Sequence, residues 1–187
     1  MKVLSGYGKY ASVVFAALAI AMPAANGFAQ EQAPATPKMA SGASSLSETY
    51  DDWVLSCQGT ANGTECGLMQ VLSQQNGQRV LTFSISPVAN NGIYAGSLIM
   101  PFGLELASGV TIALDDKAPG NPVGFKTCLP AGCIVPLEWS EEQFTALRAA
   151  TNVKVTAQTS SGEPFALTVS LKGLSAAGKR AVELVAR

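Results

Sequence analysis

The chain predicts an all-β fold, a single antiparallel β-sandwich over residues 50–187, on three observations. About eight short apolar runs alternate with polar residues and are separated by Gly, Asn, Ser and Pro turn signals at close intervals. Only two stretches carry a helical pattern, one near the middle and one at the C-terminus. Four cysteines fall into two pairs, and each pair flanks a short turn-forming segment. Many short strands with few helices are the signature of a sandwich, and a β-barrel fits the same pattern as the alternative topology.

The N-terminus comes first. Lys2 and Lys9 precede the apolar run Ala11 to Met22, then Pro23 and a small-residue exit ending Gly27-Phe28-Ala29. This three-part pattern predicts a secretory signal peptide over residues 1–29, cleaved after Ala29. The run is too short for an ordinary membrane span, and no cysteine stands at the cleavage point to take a lipid. Residues 30–49, rich in Ala, Pro and Ser, read as a linker or disordered arm. The formal net charge of −1 loses only Lys2 and Lys9 on cleavage. A weakly acidic chain without a basic stripe argues against nucleic acid as a partner.

From Tyr50 the strands begin. Trp53–Cys57 and Cys66–Leu72 form a hairpin around a turn at Thr60–Gly63, with Gly at its last position. In Arg79–Ser86 the residues Leu81, Phe83 and Ile85 alternate with Val80, Thr82, Ser84 and Ser86, predicting a half-buried strand with the former inward. Tyr94–Met100 follows a turn at Asn90-Asn91-Gly92, and Val110–Leu114 precedes a turn-rich loop, Asp115–Pro122. Cys128 and Cys133 then flank Leu129-Pro130-Ala131-Gly132, a turn with Pro and Gly in favoured places. Ser140-Glu141-Glu142-Gln143 is a capping-box pattern opening a helix to about Ala150, with Phe144 and Leu147 inward. Val153–Thr159 and Phe165–Leu171 make a last hairpin around Ser160–Glu163, and Leu174, Ala177, Ala181, Val182 and Val185 define the apolar face of a final helix.

In an exported chain four cysteines read as two disulfides. Turn geometry sets Cys57 opposite Cys66 and Cys128 opposite Cys133, within reach of bonding, each bridge closing one hairpin and stabilising it by about 2 to 3 kcal/mol. A four-thiolate zinc site is the rival, but it favours closer C-x2-C spacing and no histidine is present to help. The lack of histidine also removes the commonest general base and metal ligand. A Ser170–Lys172 dyad needs a desolvated lysine that a strand end does not provide. Asp115-Asp116 reads as a solvated turn and Glu141-Glu142 as a helix start. In Met100–Leu104, Pro101 and Gly103 break an apolar run open, so Phe102 is either core or an exposed contact, with core as the default. Trp53 and Trp139 read as core.

Taken in order, Asp52-Trp53 with Cys57, then Cys66, MPFGLELASGVTIALDD (100–116), FKTCLPAGC (125–133), a short helix and VSLKGLSAA (169–177) resemble the invasion-associated locus B family of exported bacterial proteins. The resemblance covers Tyr50 to Leu184, and its most specific pieces are the PFG segment and T-C-L-P-x-G-C. It implies an immunoglobulin-like antiparallel β-sandwich in the envelope of Gram-negative bacteria. It carries over Cys57, Cys66, Cys128 and Cys133 as bridging cysteines and Pro101, Phe102 and Gly103 as signature positions, and it supplies no catalytic residue.

Together these readings predict an exported cell-envelope protein without enzymatic activity, cofactor or metal. It is periplasmic, outer-membrane associated or secreted, and acts through contact with a protein partner in the envelope or at a host surface. The alternative is a periplasmic carrier of a small apolar ligand, with a pocket near Phe102.

Overall fold

A computed structural model describes residues 42–186. The expected signal peptide and the first part of the expected arm, residues 30–41, lie outside the described residues. The elements are β1 (Ser45–Tyr50), β2 (Trp53–Thr60), β3 (Gly63–Ser73), β4 (Arg79–Ile85), β5 (Ile93–Met100), β6 (Thr111–Leu114), β7 (Thr127–Leu129), β8 (Gly132–Ser140), α1 (Glu141–Ala149), β9 (Asn152–Gln158), β10 (Pro164–Ser170) and α2 (Leu174–Val185). Every strand pairing is antiparallel. Seven strands form one sheet in the order β1-β2-β3-β4-β5-β8-β7, and three form a second in the order β10-β9-β6.

Register fixes which side chains meet. Leu55 faces Leu68, Leu68 faces Ile85, Phe83 faces Leu98 and Leu98 faces Val135, so one face of the large sheet is a continuous apolar surface. That surface packs with Val153, Val155 and Val169 of the small sheet, Phe144 and Leu147 of α1, and Leu174, Ala177 and Ala181 of α2 into one core. Trp53 and Gln70 reach across it: Trp53 Nε1–H and Gln70 Nε2–H both donate to the Ser170 carbonyl, each at 3.0 Å. The buried Gln70 therefore costs nothing in unmet polarity, and both bonds tie the two sheets together.

The all-β antiparallel class and the two helices stand as expected, and three details differ. Residues 45–49 are not linker: β1 pairs along the whole of β2, with Leu46, Glu48 and Tyr50 turned toward the core side. Its short, mostly polar sequence hides a strand that is held by register and by an ion pair rather than by apolar content. The second difference is β4, which is buried on both faces; Val80 and Thr82 are covered as well as Leu81 and Phe83. Thr82 is paired with Val71 and Ile99 of the neighbouring strands, so two larger side chains flank it on that face. In α2 the buried face holds Leu174, Ala177, Gly178, Ala181 and Leu184, while Val182 is half exposed, a rotation of the face anticipated from the apolar pattern.

The capping box of α1 is present in both directions, Ser140 Oγ accepting from the Gln143 N–H and Gln143 Oε1 from the Ser140 N–H. β1 is locked to α2 by Arg180, whose Nε and Nη2 donate to the two oxygens of Glu48 at 3.1 Å each, while the Tyr50 hydroxyl donates to the same carboxylate at 2.7 Å. The hydrogen bonds from Arg180 and then Tyr50 hold the Glu48 carboxyl below its ordinary value. A depressed folded-state value adds stability above the unfolded value, and that stability is lost as pH falls through the folded value. Glu48→Gln is expected to lower the melting temperature by roughly 2–4 °C at neutral pH. The difference from wild type should shrink as the melts are moved below about pH 4.

Candidate functional site

Both sequence-predicted bridges are formed, Cys57–Cys66 and Cys128–Cys133. Each pair is directly opposed in its hairpin, as the turn positions require, with Thr60 facing Gly63 and Leu129 facing Gly132. Register places both on the same, inward face of the large sheet. Cys57 lies beside Leu55 and Leu68 in the core, and Cys133 faces Met100 across β8 and β5. Cys57 and Cys133 are buried whereas Cys128 is exposed, so the first bridge belongs to the core and the second to a rim.

That rim is where the two most specific motifs meet. Met100, the last residue of β5, pairs with Cys133, so Pro101-Phe102-Gly103 leaves the sheet beside the Leu129–Gly132 turn. Gly132 adopts φ +131°, and a Cβ there would run into the Met100 carbonyl, which accounts for glycine at this point. Arg79, at the start of β4, donates from Nη2 to the Ala131 carbonyl at 2.7 Å and fastens the turn to β4 across the end of β5. Beyond Phe102 the chain crosses to the small sheet: Gly103 turns with φ +87°, its carbonyl accepts from the Ser160 N–H at 2.9 Å, and Leu104 bridges to Thr159. Phe102 stands at this corner.

The default expectation of a core Phe102 is corrected. It is 62% exposed, because the left-handed turn at Gly103 takes the backbone inward to bury Leu104 and leaves the phenyl ring outside. Leu129, on the adjoining turn, is 49% exposed, and Leu106 is 44% exposed in the same crossover segment. Single exposed apolar residues are ordinary, but Phe102 and Leu129 stand on adjoining segments of one rim stapled by a disulfide. Phe102 lines none of the five principal clefts among the described residues. The larger cleft lies between β8 and β6, and Trp139, expected in the core, is half-buried in its wall.

The other residues weighed for chemistry have structural partners. Lys172 Nζ sits 3.0 Å from Asp51 Oδ1, and that hydrogen bond, with the Asp51 charge, raises the lysine above its ordinary value. A Ser170–Lys172 base would need the opposite shift. Asp115 accepts from the Thr151 and Asn152 N–H groups and fixes the start of β9. Glu141 accepts from the Tyr94 hydroxyl at 2.8 Å, and the Tyr94 ring stacks on Phe144 at 3.8 Å. Among the described residues no group of three or more Cys, Asp or Glu could hold a metal ion, and no helix is long and apolar enough to cross a membrane.

The family model described as Invasion associated locus B (IalB) protein matches residues 53–182. An invasion protein B homolog of Brucella abortus is 46% identical over 138 residues, covering 73% of this chain and 79% of that protein. Invasion protein B of Bartonella bacilliformis is 33% identical over 165 residues, covering 84% of this chain and 88% of its own. The crystal structure of invasion associated protein B from Bartonella henselae superposes with a TM-score of 0.68 at 31% identity, over 74% of this chain and 96% of that one.

Proposed function

This chain belongs to the invasion associated locus B family, and from that premise we propose that it is an exported envelope protein that acts by contact, without catalysis, through the rim carrying Phe102 and Leu129. The observation that carries the reading is the exposed Phe102, held at a corner that the Cys128–Cys133 hairpin and the Arg79–Ala131 hydrogen bond make rigid. A preorganised aromatic anchor loses little freedom on binding, which is where contact residues gain most. Export agrees with two disulfides and with the leader pattern before Ala29. The partner is a protein of the envelope or of a host surface, the second reading drawn from relatives that are named invasion proteins.

The test is affinity capture from envelope extracts using the mature chain. Phe102→Ser is expected to reduce recovery of a specific partner by at least about tenfold, the effect of losing one aromatic anchor of 1.4 kcal/mol or more. Its melting temperature should stay within about 2 °C of wild type, because an exposed side chain contributes little to folding. Equal recovery by both forms would refute the assignment of the surface.

A further inference from the structure

The cleft between the two sheets shares no residue with the Phe102 rim and has a chemistry of its own. β7 covers the outer edge of β8 only from Gly132 to Ile134, so the edge from Val135 to Ser140 has no strand against it among the described residues. Opposite stands β6, whose outer side is met, among the described residues, by no strand but by loop bonds, from the Gly120 N–H to the Ile112 carbonyl and from the Lys117 N–H to the Leu114 carbonyl, and by the bridge of the neighbouring Val110 to Val123. Between these edges lies a cleft of about 720 Å³. Phe83, Leu137, Leu147 and Val153 form its floor, and Ile112, Leu114 and Trp139 its walls. This size and lining suit a small organic molecule.

Polar groups at the mouth are few. Glu138 lies on the opposite face of β8 from Leu137 and Trp139 and borders the cleft at the open edge of the strand; it is the only charged residue lining the cleft among the described residues, and it has no ion-pair partner there. Asn121 and Gln143 supply amides; the Gln143 oxygen is already taken by the Ser140 N–H. Among the described residues no lysine or arginine lines the space.

The edge itself argues against an added strand. The Ile134 carbonyl accepts from the Lys126 N–H, so Ile134 points its backbone groups away from β5, and by the period of two Pro136, Glu138 and Ser140 do the same. Pro136 has no N–H and the Ser140 N–H is spent in the capping box, which leaves Glu138 as the single backbone donor. A strand needs a ladder of donors; a small molecule does not.

We propose that this cleft binds a small amphiphile with an apolar body and a cationic amine head, the body lying on Phe83, Leu137 and Leu147 and the head meeting Glu138. Trp139 in the wall provides an energy-transfer donor for the test. The mature chain, residues 30–187, is titrated with the neutral dye N-phenyl-1-naphthylamine, and bound dye is displaced with octylamine, 1-octanol or octanoate. Saturable one-to-one dye binding is expected, with octylamine displacing at roughly tenfold lower concentration than octanoate, the scale of one partly screened charge contact. Glu138→Gln should bring that ratio close to one without loss of dye binding. Ala146→Trp on the α1 wall and Asn121→Trp on the exposed loop should each abolish dye binding while leaving far-UV circular dichroism unchanged, and Phe102→Ser should leave binding intact. The proposal is overturned by absence of saturable binding to the wild type or by a preference for octanoate. It is equally overturned by an amine preference that survives Glu138→Gln, by dye binding that persists in both tryptophan variants, or by dye binding lost in Phe102→Ser.

Discussion

Trp53→Ala should cost about 3–5 kcal/mol, the usual range for removing a fully buried aromatic, and unfold a large fraction of a domain of ordinary stability. Trp53 is 0% exposed, meets Phe83 edge-on at 5.5 Å, and donates to the Ser170 carbonyl of β10. Truncation would therefore open a cavity between β2 and β4 and remove one of the two bonds that join the sheets. Trp53→Phe separates the two effects. It keeps most of the ring and loses the donor, yet Gln70 still satisfies the Ser170 carbonyl, so its loss should be about 1–2 kcal/mol. Urea unfolding measures both, and a shift of midpoint with an unchanged slope assigns the loss to the folded state. A Trp53→Ala midpoint within error of wild type would show that the residue does not join the sheets.

Removing the Cys57–Cys66 bridge as a Cys57→Ala, Cys66→Ala pair should cost about 2.6 kcal/mol from loop-closure entropy alone, with an added penalty because Cys57 lies in the core. The Cys128–Cys133 bridge closes a shorter loop at a rim, so the corresponding pair should lose only about 2 kcal/mol. The ordering is the informative part. Equal losses, or a larger one at the rim, would contradict the placement of the first bridge inside the core. The rim pair should instead show its effect in partner capture, because the hairpin that positions Phe102 loosens.

Features fixed by local chemistry could be read from the sequence. Gly63 and Gly132 close two-residue turns, and those turns oppose the cysteines; Ser140 and Gln143 cap α1; Phe144 and Leu147, three apart, face the core. What depends on neighbours could not. β1 contains only Leu46 and Tyr50 as apolar anchors and is held by Glu48 to Arg180, a partner 132 residues away. Thr82 is buried although it sits on the polar side of the alternation in β4, where Val71 and Ile99 flank it on the neighbouring strands. Phe102 was ambiguous because Pro101 and Gly103 announce a bend without its direction. The cleft draws on β4, β6, β8, β9 and α1, and only the fold assembles it.

The central claim is that the Phe102 rim is the contact surface. Its most direct test is a photoactivatable residue placed singly at positions 102 and 129 of the protein in its native cell, with positions 76 and 117, on exposed loops elsewhere, as controls. A discrete adduct of the same size is expected from 102 and 129 and none from the controls. Adducts of equal yield at all four positions, or at the controls alone, would contradict it.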